Sequence, residues 1–419
     1  SSPLQRCVIL AKHIQKLFDI DLTMKAKKQA FEQEVDNAKN TVLQNSQLQS
    51  FIETLQKNYQ QNLRDNTCQV DFSLPHYEDI FLKMMFKVGL NGDAENLIPI
   101  DHFGDGFISM FVMAVIQAIA ETNIEDKCLF LFEEPESFLH ENHQEYFYKM
   151  VLCTLAEKGH QVIYTTHSDR MIDAFDTKGI IRLEMDENNQ SVKKYNNVGD
   201  FSFEEVDEDT GEVINYSRYN EFVKTVEPNL NRMLFSKKVI LVEGPNDVLV
   251  YKYVIKKKVL ESIQTREDII DKEKYADAFL NFENISIVCH HGKTTALYLI
   301  ELCKWFSIDY FVINDWDFEA AELDILTIST FIDIESLKEH KIYSENTKKA
   351  MITNNWNLIN SAGINKIHFN VKKLESVIGY QSNDKSSLDI WNLLNSDEFS
   401  ISEGLFPESL SNYLGINVI

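Results

Sequence analysis

"KKVILVEGPNDVLVYKYVI" (residues 237–255) opens as an unbroken apolar run, turns at Gly244-Pro245, and continues with helical spacing. This is strand, turn, helix, the unit from which parallel α/β sheets are built. The turn is flanked by carboxylates. Glu243 falls at the strand end and Asp247 in the first turn of the helix, so both side chains can converge on one cation. Downstream, "ISIVCHHGKTTALYLIELCKWF" (285–306) and "DYFVINDWD" (309–317) repeat the pattern. Asp315 and Asp317 stand two apart on a predicted strand end and are expected to face the same side. Four carboxylates at the carboxyl edge of one sheet make a hard-cation site suited to Mg²⁺ or Mn²⁺. No Cys or His joins them at ligand spacing, which argues against zinc. The competing reading makes Glu243 and Asp247 surface ion-pair partners and "DWD" a polar turn. Both motifs in order on strand ends weigh against it.

The same rhythm runs through residues 68–195. "GFISMFVMAVIQAIAET" (106–122) reads as a buried helix and "KCLFLFEE" (127–134) as a buried strand. "NHQEYFYKMVLCTLAEKG" (142–159) reads as a helix closed by Gly159, and "HQVIYTTHS" (160–168) as the next strand. A strand ending in two acids suits phosphate hydrolysis: Glu133 would orient a Mg²⁺ shell and Glu134 would polarise the attacking water. His167 ends the neighbouring strand, where open parallel sheets bind ligands, and is placed to sense a γ-phosphate. Upstream, "HFGDGF" (102–107) sets Gly104 and Gly106 before a long helix, whose amino end offers amides to a phosphate. Taken singly, each has a plain alternative: exposed charge, a structural histidine, an ordinary turn.

The chain has 419 residues, enough for two or three domains. A net charge of −24 excludes a simple basic DNA-coating protein. Six cysteines without CxxC spacing fit reduced thiols in the cytoplasm rather than a zinc site. No apolar run is long enough to span a membrane, and none is expected as a partner. Residues 1–67 read as a helical arm, because "MKAKKQAFEQEVDNAKNTVLQNSQLQSFIETLQKNYQQNL" (24–63) lacks Gly and Pro. Such an arm serves dimerisation or packs as ordinary helices. We divide the rest into residues 68–236, ending in an acidic connector, and residues 237–419.

As a set, "LFLFEE", "PESFLH", "TTHS" and "FGDGF" resemble the Walker B strand, D-loop, switch histidine and signature loop of the C-terminal half of an ABC-type ATPase. The matching P-loop is not in this chain. Gly292-Lys293-Thr294 is not one, since Ile287 stands where its first glycine belongs. The P-loop segment is therefore expected to precede Ser1, with ATP a cofactor of the complete protein. ATP turnover by this chain alone is not expected. The "EGPND" turn followed by "DWD" resembles a TOPRIM domain. An ABC-type ATPase joined to a C-terminal TOPRIM domain is similar to the OLD family of nucleases, particularly its Gabija anti-phage branch.

That resemblance implies a metal-dependent endonuclease acting on double-stranded DNA. It places Glu243, Asp247, Asp315, Asp317 and Glu375 (in "NVKKLESVIGY", 370–380) on two metal ions. Lys385 (in "NDKSSLDIWNLL", 383–394) would stabilise developing charge at the scissile phosphate. Lys373 stands where relatives often carry Asp. The resemblance also implies a homo-oligomer, dimer or tetramer, and a helicase-like partner subunit. The rival function is a nucleotide-switched clamp or scaffold in DNA repair, with a TOPRIM fold that does not cut. "HHGK" (290–293) reads as a strand-to-helix turn, with phosphate contact a minor alternative. The Lys256-Lys257-Lys258 run reads as a solvated helix end.

Overall fold

The computed structural model describes residues 22–44, 46–62, 87–89, 95–122, 127–137, 139–173, 179–185, 192–195, 230–319, 321–381, 384 and 386–416. Lys385, both ends of the expected arm and most of the acidic connector lie outside the described residues. The chain forms two compact units, Ser1–Met171 and Ile172–Ile419. Among the described residues no helix is long and apolar enough to cross a membrane.

In the first unit, helices α1 (Leu22–Leu43) and α2 (Gln47–Asn62) precede a short antiparallel pair, β1 (Lys87–Val88) and β2 (Ile98–Pro99). Helix α3 (Asp105–Thr122) follows, then β3 (Leu129–Glu133), α4 (Glu141–Phe147) and β4 (Gln161–Thr165). Helix α4 runs on through a π-helical stretch, Tyr148–Cys153, and a last α-helical turn, Thr154–Glu157. It stops at Gly159, whose φ of 85° suits glycine. There Gly159 N–H donates to Ala156 O and His160 N–H to Leu155 O, pairing carbonyls the helix leaves over.

Strands β3 and β4 are parallel, Leu129 opposite Gln161 and Glu133 opposite Thr165. Phe130, Phe132, Val162 and Tyr164 pack against Met113, Phe147, Val151, Leu152 and Met171. The alternate residues Leu129, Leu131 and Ile163 are 55%, 68% and 60% exposed. The strand expected to be buried is therefore covered on one face among the described residues, because helices pack only there. Helix α3 likewise buries a stripe, Ser109, Val112 and Met113, while Phe107 is exposed. It begins at Asp105, so Gly106 lies inside its first turn rather than before it.

The second unit opens with an antiparallel ribbon, β5 (Arg182–Met185) and β6 (Val192–Tyr195). Arg182 ties this ribbon down, donating to the carbonyls of Leu234, Ser236 and Phe306. Next come β7 (Lys238–Val242), α5 (Pro245–Ser262), α6 (Lys272–Phe282), β8 (Ile285–Cys289) and α7 (Lys293–Trp305). After them run β9 (Asp309–Asp315), several short helices, α8 (Lys349–Ala362) and β10 (Ile367–Asn370). The chain closes with α9 (Leu374–Val377), α10 (Ser387–Leu394) and α11 (Glu408–Leu414).

Strands β7 to β10 form one parallel sheet in the order β10-β9-β7-β8. Its residues alternate between two cores. Val239, Leu241, Val288 and Val312 join the cluster on the α7 and α8 side. Ile240, Val242, Ile287, Phe311 and Ile313 join the α5 and α6 side. A sheet covered on both faces explains the unbroken apolar runs, since only the strand ends and His368 are partly open to water. Each such residue contributes about 1.5–3 kcal/mol on burial. Tyr413 of α11 anchors the sheet's amino edge. Its hydroxyl accepts from Val239 N–H (3.0 Å) and lies 3.1 Å from the carbonyls of both Val239 and Asp309.

Candidate functional site

The chain leaves β7 toward β8 on one side, then crosses back to place β9 on the other. The switch point of the sheet thus lies between β7 and β9, where their carboxyl ends part and open a crevice. Glu243 directly follows β7 and Asp315 ends β9. Glu243 Oε2 accepts from Asp315 N–H and from Asn314 Nδ2, both at 3.2 Å, which fixes its carboxylate across the crevice. Asp247 enters from α5. Its Oδ2 accepts the Gly244 N–H at 3.1 Å, closing the turn that starts the helix. Its Oδ1 is buried and has no hydrogen-bond partner among the described residues.

Burial pushes the Asp247 carboxyl up to about 8, and the charges of Asp315 and Glu243 add to the rise. Asp315 is pushed up to about 7, by burial first and Glu243 second, while the Leu374 N–H pulls it back. That N–H reaches Asp315 Oδ1 at 2.8 Å, so Asp315 caps α9, the helix that carries the buried Glu375. Glu375 and Asp317 add smaller upward pushes on Asp315.

Beneath the carboxylates lies a layer of buried polar side chains at the strand ends. His290 follows β8, Asn314 precedes Asp315 in β9, and Asn370 ends β10, all fully buried. Tyr251 of α5 donates to Asn370 Oδ1 at 2.9 Å, and Asn370 Nδ2 faces Asp315 Oδ1 at 3.5 Å. Burial lowers His290 to about 4, so its imidazole is neutral. Such groups are tolerated in a core because they orient one another.

Asp317 stands apart from the arrangement expected of it. Strand β9 ends at Asp315, and Asp317 adopts φ 67° beyond it, so two-residue alternation does not reach it. Trp316 is fully buried between the two acids, its indole N–H on Leu323 O. Asp317 Oδ2 accepts from Lys293 Nζ, which also donates to Asn355 Oδ1 at 2.7 Å. The buried Asn355 donates in turn to Trp316 O at 2.8 Å. Lys293 is the first residue of α7, reached through the His290-His291-Gly292 turn that follows β8.

Sequence reasoning read His290-His291-Gly292-Lys293 as a strand-to-helix turn, with phosphate contact a minor alternative, and did not pair Lys293 with Asp317. The signal available was an ammonium at the start of the helix that follows a strand, after a turn level with Glu243. Asn314, a lone amide within "FVIND", was a second unread signal. Lys385 lies outside the described residues, and Lys373 precedes α9 half-buried. Among the described residues no three His, Cys, Asp or Glu side chains close into a ready-made metal cage. The donors are gathered at the switch point but not wrapped around a centre.

The first unit carries a separate constellation. Glu134 follows β3 with φ 42°, its N–H on Thr165 O at 3.1 Å. Its carboxylate faces His167 Nε2 at 3.4 Å and accepts from Ser137 Oγ at 3.3 Å. Glu136, buried, accepts from Thr166 Oγ1 at 2.6 Å and from His167 N–H at 2.9 Å. It therefore fastens the loop that presents His167, a part that sequence reasoning had not given it. Glu133 is exposed at the strand end, level with Thr165. Gly104 and Gly106 open α3, and among the described residues no hydrogen bond or ion pair joins them to Glu134 or His167.

Comparison with known proteins matches both units. Residues 8–172 match the AAA ATPase domain family, ending where the first unit ends. Residues 234–317 match the overcoming lysogenization defect protein-like TOPRIM domain, spanning Glu243 to Asp317. The chain is 24% identical over 292 residues to an OLD nuclease of Thermus scotoductus, covering 70% of this chain and 48% of that protein. It is 28% identical over 269 residues to the Old nuclease of Escherichia phage P2, covering 62% and 41%. It is 22% identical over 264 residues to the endonuclease GajA of Bacillus cereus, covering 58% and 41%. The chain thus spans about half the length, or less, of these curated relatives. It carries an ATPase domain followed by an OLD-like TOPRIM domain.

Proposed function

We propose that this chain is part of a nucleotide-regulated, metal-dependent endonuclease that cuts double-stranded DNA. The observation that carries the reading is the buried, unpartnered Asp247 Oδ1 beside Glu243 and Asp315 at the switch point. Burial first, and then the charges of the neighbouring carboxylates, raise the pKa values of Asp247 and Asp315 there. A divalent cation held by Glu243, Asp247 and Asp315 relieves that repulsion, so the donor set fits Mg²⁺ or Mn²⁺. When bound, such an ion supplies Lewis-acid polarisation of a phosphoryl oxygen and activation of water.

The protein's own groups do the positioning. Asn314 and the Asp315 N–H hold Glu243 across the crevice. The Leu374 N–H holds Asp315. Without a cation, Asp247 keeps its proton at neutral pH, which limits the negative charge gathered beside Glu243 and Asp315. In the ATPase unit, the carboxylate of Glu134 and the ring of His167 face each other at 3.4 Å, a geometry suited to ordering water at a γ-phosphate. ATP bound there, with Glu133 toward Mg²⁺ and Gly104 and Gly106 toward phosphate, would set when the TOPRIM unit cuts. We extend the proposal to homo-oligomeric assembly, a helicase-like partner subunit and a role against phage, on the likeness to GajA and the OLD nucleases.

The test is nicking of supercoiled plasmid by the full chain with Mg²⁺ or Mn²⁺, against a Glu243→Ala variant. Metal-dependent nicking that the variant loses is the expected result. Nicking that survives the substitution, or none from the parent chain with either metal, removes the nuclease reading in favour of a non-cutting clamp.

A further inference from the structure

We propose that Lys293 is the resident cation of the TOPRIM crevice: its ammonium neutralises Asp317 and keeps it out of the metal-ligand set, so the site takes a single divalent ion. The inference rests on the reading of Glu243, Asp247 and Asp315 as the metal-binding carboxylates.

Three observations carry it. First, the Lys293 side chain is only 10% exposed, and its Nζ is clamped from two directions, by Asp317 Oδ2 and by Asn355 Oδ1. An ammonium with two fixed acceptors in a poorly hydrated place is held there and does not sample solvent. Second, the clamp is itself locked. Asn355 is fully buried and its amide is spent on Trp316 O. Asp317 is pinned at φ 67° by its own N–H on Lys372 O at 2.9 Å. Asn355 cannot swing away without breaking its buried hydrogen bond to Trp316 O. Third, a second ammonium approaches the same turn, Lys348 Nζ donating to Asp317 O at 3.1 Å. A divalent ion at Asp317 would face the poorly hydrated Lys293 ammonium at close range, with the exposed Lys348 ammonium adding a weaker, solvent-screened repulsion. Asp247 and Asp315 show the opposite condition: both are buried, and the charged side chains that face them are other carboxylates. Positive charge is already supplied at Asp317 and is wanting at Asp247.

Lys293 is a positioning residue in this scheme, and its effect is read by counting ions. Mn²⁺ is titrated into the full chain and free Mn²⁺ is followed by electron paramagnetic resonance. The parent chain is expected to bind one ion, and Asp317→Asn is expected to leave both the stoichiometry and the affinity in place. Lys293→Met keeps the apolar stem, removes the charge and frees Asp317, and is expected to admit a second ion. Lys293→Arg restores the charge and with it the single ion. The comparison of parent with Asp317→Asn decides the matter even where Lys293→Met fails to fold. Two ions in the parent, falling to one in Asp317→Asn, overturn the proposal, as does a folded Lys293→Met that still binds one. No Mn²⁺ bound by the parent, or binding that survives Glu243→Gln, overturns the carboxylate reading beneath it.

Discussion

Replacing Asp247 with asparagine is expected to remove much of the pH dependence of the second unit's stability in metal-free buffer. In the fold, the Asp247 carboxyl rises from 3.8 to about 8, through burial first and the charges of Asp315 and Glu243 next. For an acid shifted upward, the folded chain keeps a proton that the unfolded chain releases. Stability is then full below the unfolded value of 3.8 and is lost as pH rises toward the folded value of about 8. Between about pH 5 and about pH 8, one carboxyl shifted this far accounts for roughly 3 kcal/mol. Asp315, raised to about 7, loses stability over the same window, and because the two acids repel each other their contributions do not simply add. The amide of Asp247→Asn still accepts the Gly244 N–H, so the helix start is preserved. All four tryptophans (Trp305, Trp316, Trp356 and Trp391) lie in the second unit, so their fluorescence in urea reports that unit alone. In the presence of a chelator, the parent's midpoint should fall from about pH 5 to about pH 8, and the variant's should fall less and end higher. Parallel curves for the two proteins, or a parent curve that is flat, would refute the reasoning.

Other perturbations test other joints. Glu136→Ala leaves the Thr166 hydroxyl and the His167 N–H without their buried acceptor; amide exchange at His167 should speed up by roughly tenfold or more, read by mass spectrometry. Tyr413→Phe strips the hydroxyl that joins β7 to β9 at the amino edge; urea unfolding followed by tryptophan fluorescence should show a loss of about 1–3 kcal/mol. Gly159→Ala places a Cβ at φ 85°, 2.8 Å from the Lys127 ammonium. The ammonium can swing aside but the backbone cannot, so a loss of about 1 kcal/mol in a circular-dichroism melt is expected.

The α/β character and the carboxyl-edge placement of Glu243, Asp247 and Asp315 were legible because they depend on local pattern: an apolar run, a Gly-Pro turn, an acid at the run's end. What could not be read depends on how distant segments meet. Asp317 looked like a strand residue two beyond Asp315, yet a left-handed turn and the burial of Trp316 redirect it toward Lys293. Lys293 itself arrives from another strand, and its acceptor Asn355 from a helix some sixty residues later. The apolar run of β3 was read as wholly buried, since a run of leucine and phenylalanine does not say how many layers cover it. Glu136 is another such case. Three acids in "EEPE" look alike in sequence, and only the fold turns one of them inward to hold the His167 loop.

The order of strands carries a consequence for biosynthesis. Strand β10 is an edge strand and also the last to be made, and it brings Asn370 behind Asp315 and delivers α9 with Glu375. Until residue 374 has left the ribosome, Asp315 lacks the backbone N–H that holds it, although Glu243 and Asp247 were translated long before. The crevice therefore cannot be completed on a nascent or truncated chain. For a protein proposed to cut DNA, such timing is a safeguard: an unfinished copy carries the acids but not the geometry.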